Sequence, residues 1–567
     1  MLWVLSVFFL TTACSGSDDV TITPEVTIPE NILSSGMTFS KTGGKNTLSI
    51  KSNVAVEVIS SASDWCKVVA ETSTSSSIFK YTITVELNTT TDNRTSTITV
   101  NAAGSKVGEF AVQQTAADGL VVVTPVFNDV KAEGEVILVE LSTNSKDYKY
   151  TINDTWITHS EPSTRGMFKE TIPFIVSPNY NAARTGTITF SLGSITETVS
   201  INQLAGSLPD VGMKSDAKTL ASKMYAGINI GNTMEVPGGE TGWGNPKVSK
   251  NYIDGLKAMG FNSVRIPCAW DSHIVNQSTH EIDAVWLDRV SEVVGYCVAN
   301  DMYAIVNIHW DGGWLEESII DGYKSEVDAK QKALWTQIAT KLNVYDEHLL
   351  FAGCNEPGQQ AQDKVDADAI DALLAYEQTF VDAVRATGGN NATRCLVVQG
   401  PYTNIDKTVK DYKMPTDKVP DRLMVEVHFY DPYQFSMMEK DADWGKVFWY
   451  WGAENHVNGS EHNATSSEES YVQEQFRKMK TNYVDKGIPV ILGEYSVMKR
   501  TVNENQEAHD KSRAYWNEVV TREAKNHGIV PFHWETGSEV NRNTGVVTDR
   551  YVIDGIMKGA KAGQYPY

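Results

Sequence analysis

Two glutamates, Glu356 and Glu494, each follow a short apolar run that reads as a buried strand. Glu356 lies in Leu349-Leu350-Phe351-Ala352-Gly353-Cys354-Asn355-Glu356-Pro357, and Glu494 in Ile488-Pro489-Val490-Ile491-Leu492-Gly493-Glu494-Tyr495. Two carboxylates far apart in sequence and both at strand ends suit the cleavage of an acetal. One must hold a proton to act as an acid, and the other must stay ionised to attack carbon. Arg265, His309, Asn355, His428, Tyr430 and Trp534 stand at or just beyond the ends of comparable runs. A single His after a strand is ordinarily structural, and Asn-Glu-Pro can simply start a helix. The same placement repeated on strand after strand points to one shared site.

The elements that must position these residues begin near residue 210. Strand candidates fall at 225–229, 263–266, 303–309, 349–355, 394–399, 423–428, 490–494 and 529–534. Amphipathic stretches at 286–300, 327–342, 367–387, 471–486 and 507–527 separate them. Eight alternating βα units over 210–567 predict an α/β fold, a (β/α)8 TIM barrel, with its chemistry at the C-terminal ends of the strands.

Upstream the pattern changes to an internal repeat. One copy carries Trp65, Asn88, Arg94 and Gln114-Thr115-Ala116; the other carries Trp156, Asn179, Arg184 and Gln203-Leu204-Ala205. Between these anchors the residues alternate, as in Thr97-Ile98-Thr99-Val100 and Thr187-Ile188-Thr189-Phe190. Period-two alternation rich in Thr and β-branched residues predicts half-buried antiparallel strands. Two small immunoglobulin-like β-sandwiches are therefore expected, at 31–117 and 118–206. The single Trp of each copy sits at a strand start and reads as core more readily than as a ligand platform.

Composition narrows the partners. A formal net charge of −22 makes nucleic acid an unsuitable one. Of 14 Trp residues only Trp3, Trp65 and Trp156 precede residue 210, and flat rings suit the apolar faces of pyranoses. The six cysteines show no ligand-like spacing, so no zinc site is implied, and no motif cradles a phosphate or dinucleotide. No metal or organic cofactor is expected. At the N-terminus the apolar run 2–10 is too short to span a bilayer and reads as part of a signal peptide, 1–13. Thr11-Thr12-Ala13 before Cys14 resembles a bacterial lipobox, with Cys14 as the lipidated residue. Ser15-Gly16-Ser17-Asp18-Asp19 resembles the export tag of Bacteroidetes surface lipoproteins. Residues 14–30 read as a tether, and an outer-membrane lipoprotein, anchored only by lipid, is expected.

The sandwich repeat resembles the BACON domain of Bacteroidetes glycan-degrading proteins. The barrel segment resembles glycoside hydrolase family 5. That resemblance rests on Asn229-Ile230-Gly231-Asn232-Thr233, Trp243-Gly244-Asn245-Pro246, Gly260 to Pro267, Asn355-Glu356-Pro357, Val427-His428-Phe429-Tyr430, Gly493-Glu494-Tyr495 and His533-Trp534. The first two motifs look most like a subfamily rich in endo-β-1,4-glucanases and xyloglucanases. The resemblance implies Glu356 as acid/base, Glu494 as nucleophile, Asn355 on the sugar 2-hydroxyl and Arg265 and Tyr430 on the nucleophile. It also implies His309 and His428 around both carboxylates and Trp534 as the floor of the site. Relatives often carry two consecutive His after strand three; here the pair is His309-Trp310, which makes Trp310 a stacking candidate. Trp243 and Trp314 are further candidates, with Trp444, Trp449 and Trp451 as a cleft wall. The substrate expected is a β-1,4-glucan backbone cut internally, from cellulose, mixed-linkage glucan, xyloglucan or glucomannan, by a monomer. A xyloglucanase or β-mannanase is the alternative, and a glycan-binding lipoprotein without turnover the reading from another class.

Overall fold

The computed structural model describes residues 23–567, apart from 73–75, 89, 91, 117–118, 144, 160–163, 166–168, 181 and 209. The signal segment, Cys14 and the export-tag motif lie outside the described residues. The chain divides into two compact units, 1–207 and 208–567.

In the first unit each repeat forms two facing sheets. The first copy pairs Gly44–Ser52, Ile78–Val85 and Cys66–Ala70 in one sheet, and Ser105–Gln114, Arg94–Ala102 and Val56–Ser60 in the other. Leu48, Ile50, Ile83, Ile98, Val100 and Val112 fill the space between them. One boundary is corrected: Val26–Thr27, read from sequence as tether, pairs antiparallel with Lys51 and Ser52 and so extends a sandwich sheet.

The repeated anchors explain themselves. The Arg94 guanidinium lies 4.3 Å from the Trp65 ring centroid, and that of Arg184 lies 4.2 Å from Trp156. Arg94 Nε donates to Gln114 Oε1 at 2.9 Å and Arg184 Nε to Gln203 Oε1 at 2.8 Å. Asn88 Nδ2 donates to the carbonyls of Asp92 and Thr115, as Asn179 does to Ala182 and Leu204. The anchors thus tie loops to strands, and an arginine covers one face of each indole.

The second unit is a closed barrel of eight parallel strands in sequential order. They are β1 (Gly227–Asn229), β2 (Ser263–Ile266), β3 (Tyr303–Asn307), β4 (Leu349–Ala352), β5 (Leu396–Gln399), β6 (Leu423–His428), β7 (Val490–Tyr495) and β8 (Ile529–His533). All eight expected strands exist, several shorter than read. Arg394, for example, precedes β5, where its buried guanidinium donates to the carbonyls of Tyr345, Asp346 and Leu349. The strand residues are buried almost throughout, as parallel strands covered on both faces must be.

The outer layer holds α1 (Lys250–Met259), α2 (Ala284–Ala299), α3 (Ser325–Leu342), α4 (Ala367–Ala386), α5 (Ile405–Asp411), α6 (Glu469–Asn482), α7 (Gln506–Asn526) and α8 (Arg550–Ala562). Side-chain N-caps start several of them: Ser249 for α1, Asp283 for α2, Asp366 for α4 and Asn505 for α7. At the N-terminal end of the barrel the incoming chain is clamped. Val211 N donates to Asp346 Oδ2 at 2.7 Å, and Glu347 accepts from Ser215 N, Ser215 Oγ and Lys223 Nζ. The last residues pack at the same end, with Tyr565 Oη on Met224 O and Tyr567 Oη on Gly528 O.

Candidate active site

Arg265, on β2, is fully buried and organises the C-terminal mouth of the barrel. Its Nη1 donates to Glu494 Oε1 at 2.9 Å and to Asn229 Oδ1 at 3.0 Å, and its Nη2 to Asn355 Oδ1 at 2.6 Å. Its Nε lies 3.0 Å from Glu426 Oε1. One guanidinium therefore spans β1, β4, β6 and β7, a use of its fixed fork of donors that a lysine could not match. Tyr430 Oη donates to the other oxygen, Glu494 Oε2, at 2.9 Å. His428 Nδ1 lies 2.7 Å from Glu356 Oε1 and 3.7 Å from Glu494 Oε2. His428 Nε2 lies 3.3 Å from Glu426 Oε1.

Glu494 is 7 % exposed at its side chain and Glu356 20 %. One oxygen of each lies within 4.8 Å of the other. Inverting pairs stand about 6.5–9.5 Å apart, with room for a water between, whereas retaining pairs stand about 5–5.5 Å apart. An approach of the two oxygens this close suits the second arrangement.

The strands bend locally to make this possible. The register of β6 and β7 shifts between Val427 and His428, which brings His428 opposite Glu494. Gly493 is required beside it, because a Cβ there would fall 1.9 Å from Glu426 Oε1. Gly231 serves Trp534 in the same way: a Cβ would meet the indole at 2.9 Å. Asn245 Nδ2 donates to Asn232 O and Thr536 O, each at 3.0 Å, which joins the loop after β1 to the loop after β8. The two motifs of the first loop therefore shape the floor rather than react. Asn229 is a fully buried support residue whose Nδ2 donates to Gly493 O at 2.8 Å.

Electrostatics sorts the titratable groups. Burial alone would lower His428, but the carboxylates of Glu494, Glu356 and Glu426 outweigh it and push it up to about 10. Burial, the Arg265 charge and the His428 charge all hold His309 well below its ordinary value, so it is a neutral imidazole. Burial would raise Glu426, yet Arg265 and His428 keep it below the usual carboxylate range. Burial raises Glu494, opposed by the charges of His428 and Arg265. Arg265 and His428 thus stand among three carboxyl groups, those of Glu426, Glu494 and Glu356. Glu356, His428 and Glu494 are close enough together to share a metal. A protonated His428 offers no lone pair, however, so the donor set is a poor one.

The aromatic candidates divide. Trp534 is half-buried and stacks parallel to His309, with ring centroids 5.6 Å apart. Trp243 is 55 % exposed, Trp310 40 % and Trp444 65 %, the last beside Tyr433. Trp314 is held by Asp311 through its Nε1 at 2.8 Å and lies under the Lys330 ammonium. Trp449 has one face covered by His462, 3.6 Å away between ring centroids. Trp451, expected in a cleft wall, is instead fully buried, with Nε1 on Ser467 O; the loop needed a core of its own.

Sequence reasoning missed Glu426 and Glu316. Glu426 had a signal: it sits two residues before His428 in an apolar strand, hence on the same face. Glu316 lies in an irregular loop after β3 and had none. Its Oε1 accepts from Glu356 N at 3.0 Å, and burial pushes it up to about 8, with the Glu356 amide opposing. The five described cysteines are all buried and free.

A closed parallel barrel with a close pair of carboxylates at the mouths of β4 and β7 defines the class of (β/α)8 glycosidases. A family model described as Cellulase (glycosyl hydrolase family 5) matches residues 228–540, and one described as BACON, a putative binding domain, matches 55–115 and 142–204. The xyloglucan-specific endo-β-1,4-glucanase BoGH5A of Bacteroides ovatus is 32 % identical over 445 residues, covering 73 % of this chain and 86 % of its own. Endoglucanase A of Paenibacillus barcinonensis is 32 % identical over 370 residues, covering 60 % and 90 %. Among solved structures, XEG5B, a xyloglucan-specific β-1,4-glucanase from a ruminal metagenomic library, matches with 41 % identity and a TM-score of 0.58, covering 62 % of this chain and 98 % of that one. The chain belongs to glycoside hydrolase family 5.

Proposed function

We propose that the protein is a retaining endo-β-1,4-glucanase, with Glu494 as nucleophile and Glu356 as acid/base. The observation that carries the mechanism is the approach of the two carboxylates to within 4.8 Å. In the first step a Glu494 oxygen bonds to the anomeric carbon, the glycosidic C–O bond breaks, and the Glu356 proton passes to the leaving oxygen. In the second step Glu356 takes a proton from water, the water oxygen bonds to the anomeric carbon, and Glu494 is released. The esterified Glu494 loses its charge as Glu356 gains one, so the net charge beside Arg265 and His428 is unchanged by the step. Asn355, whose oxygen is committed to Arg265, has its amide N–H groups for hydrogen bonding. Neutral His309 and the face of Trp534 bound the sugar at the point of cleavage, and Trp243 and Trp310 supply stacking surface along the chain.

The test is the anomeric form of the first product, followed by NMR during digestion of a cello-oligosaccharide. Initial release of the β-anomer supports the assignment and the α-anomer refutes it. A second reading, turnover of branched xyloglucan, is favoured by the similarity to solved xyloglucanases at 30–41 % identity. Initial rates on carboxymethylcellulose, mixed-linkage glucan, xyloglucan and glucomannan separate the two readings.

Surface anchoring through Cys14 is part of the proposal and rests on Thr11-Thr12-Ala13-Cys14 alone. Metabolic labelling with a fatty acid, lost in Cys14→Ala, tests it. The sandwiches are proposed as spacers, since an arginine already occupies a face of the one indole in each.

A further inference from the structure

The turn that carries the acid/base has few bonds of its own. Glu356 lies beyond the end of β4, Pro357 has no N–H to give, and Gly358 sits at φ +83°. This turn is gripped from the loop after β3. Glu316, 2 % exposed, accepts from Glu356 N through Oε1 at 3.0 Å, and its own carbonyl accepts from Gly358 N at 2.9 Å. The Asn355 side chain stands near enough to this carboxyl to oppose the upward push of burial on it. Asn355 Oδ1 is committed to Arg265 Nη2 at 2.6 Å, which sets the orientation of its amide. On the other flank, Pro357 O accepts from Tyr402 N at 2.7 Å, and next door Glu317 Oε1 accepts from Gln360 N at 3.1 Å. Among the described residues, Glu316 is the one whose side chain accepts from the backbone N–H of the acid/base itself.

We propose that Glu316 is a positioning residue for the reaction, holding Glu356 at the leaving oxygen. On the nucleophile side, the hydrogen bonds to the Glu494 carboxyl among the described residues come from Arg265 and Tyr430 and not from Glu316. Loosening Glu316 therefore disturbs protonation of the leaving group more than nucleophilic attack. This inference rests on the assignment of Glu356 as acid/base.

The consequence is a dependence on leaving group that a merely structural residue would not produce. Glu316→Asp keeps a carboxyl but withdraws it by one methylene, out of reach of the Glu356 amide. Glu316→Gln keeps the reach and an accepting oxygen. For each folded variant, checked by thermal melting, kcat/KM is measured on a cello-oligosaccharide and on a dinitrophenyl cellobioside, whose leaving group needs no acid. Positioned general acids are worth about 10²–10⁴-fold. The Asp variant should accordingly lose about 30-fold or more on the oligosaccharide and less than about 5-fold on the activated substrate. The Gln variant should recover most of that loss. Equal losses on both substrates, or a Gln variant as impaired as Asp, overturn the proposal. Should the Asp variant not fold, a Gln variant with a large, leaving-group-independent loss does the same, and one close to wild type supports it. Glu356→Ala is run alongside. If it shows no leaving-group dependence, the acid/base assignment has failed; if it does and the Glu316 variants do not, only the present inference has.

Discussion

At the scale of single residues, a carboxyl's task is set by what surrounds it. Glu494 is bonded at both oxygens, by Arg265 and by Tyr430, and has little freedom left; Glu356 is bonded through His428 and is more exposed. Glu494→Ala should abolish hydrolysis, since no group replaces the proposed nucleophile, and azide should restore turnover with a product of the opposite anomeric form. Recovery of the same anomer would contradict the role. Trp310→Ala and Trp243→Ala should raise KM on polysaccharide by about 3–30-fold with kcat little changed, because stacking of ~1–2 kcal/mol is shared by ground and transition states; a pure fall in kcat would say otherwise. Most of this cluster was legible in the sequence, because polar groups at the mouth of a barrel stand at strand ends and carry distinctive neighbours. Glu316 was not, since a loop residue's partners are set by folding and not by period. Trp451 was misread for the related reason that an indole in a long loop looks the same whether it faces sugar or core.

At the scale of elements, several helices and strands meet through buried polar groups. Glu377 on α4 is buried, accepts from Gln399 N of β5 at 2.6 Å and from Tyr412 Oη, and is raised by burial to about 8 against those two donors. A raised carboxyl stabilises the fold fully below its unfolded value of about 4.5, and that stability is lost as pH rises through about 8. Glu377→Gln should therefore gain in Tm relative to wild type between pH 5 and about 8.5, and a constant difference across that range would refute it. In the sandwiches, Arg184→Ala removes bonds to Gln203, Ser177 and Pro178 together with the contact to Trp156. A loss of about 2–4 kcal/mol in the unfolding of that domain by urea is expected. Strand order and the alternation of layers were readable from apolar runs. The helix ends, the boundary at Val26 and the register shift of β6 on β7 were not, because caps and bulges depend on partners distant in sequence.

At the scale of the molecule, the residues of the candidate site all lie within 208–567, and the bonds described among them are internal to that unit. A shortened chain beginning at Leu208 should match the full chain within about 3-fold on a soluble oligosaccharide, as expected for separately folded domains. Loss of turnover from a shortened chain with an intact melting transition would show that the sandwiches take part. The division into a β-rich repeat and a barrel was readable because their hydrophobic periods differ, 2 against alternating strand and helix. The clamp of Asp346 and Glu347 on the incoming chain has a practical side. Both ends of the catalytic unit are held at the closed end of the barrel, by these carboxylates and by Tyr565 and Tyr567. A resin, a scaffold or a fused partner attached at either terminus would leave the open end clear, which suits the barrel to immobilisation as a biocatalyst without redesign of its loops.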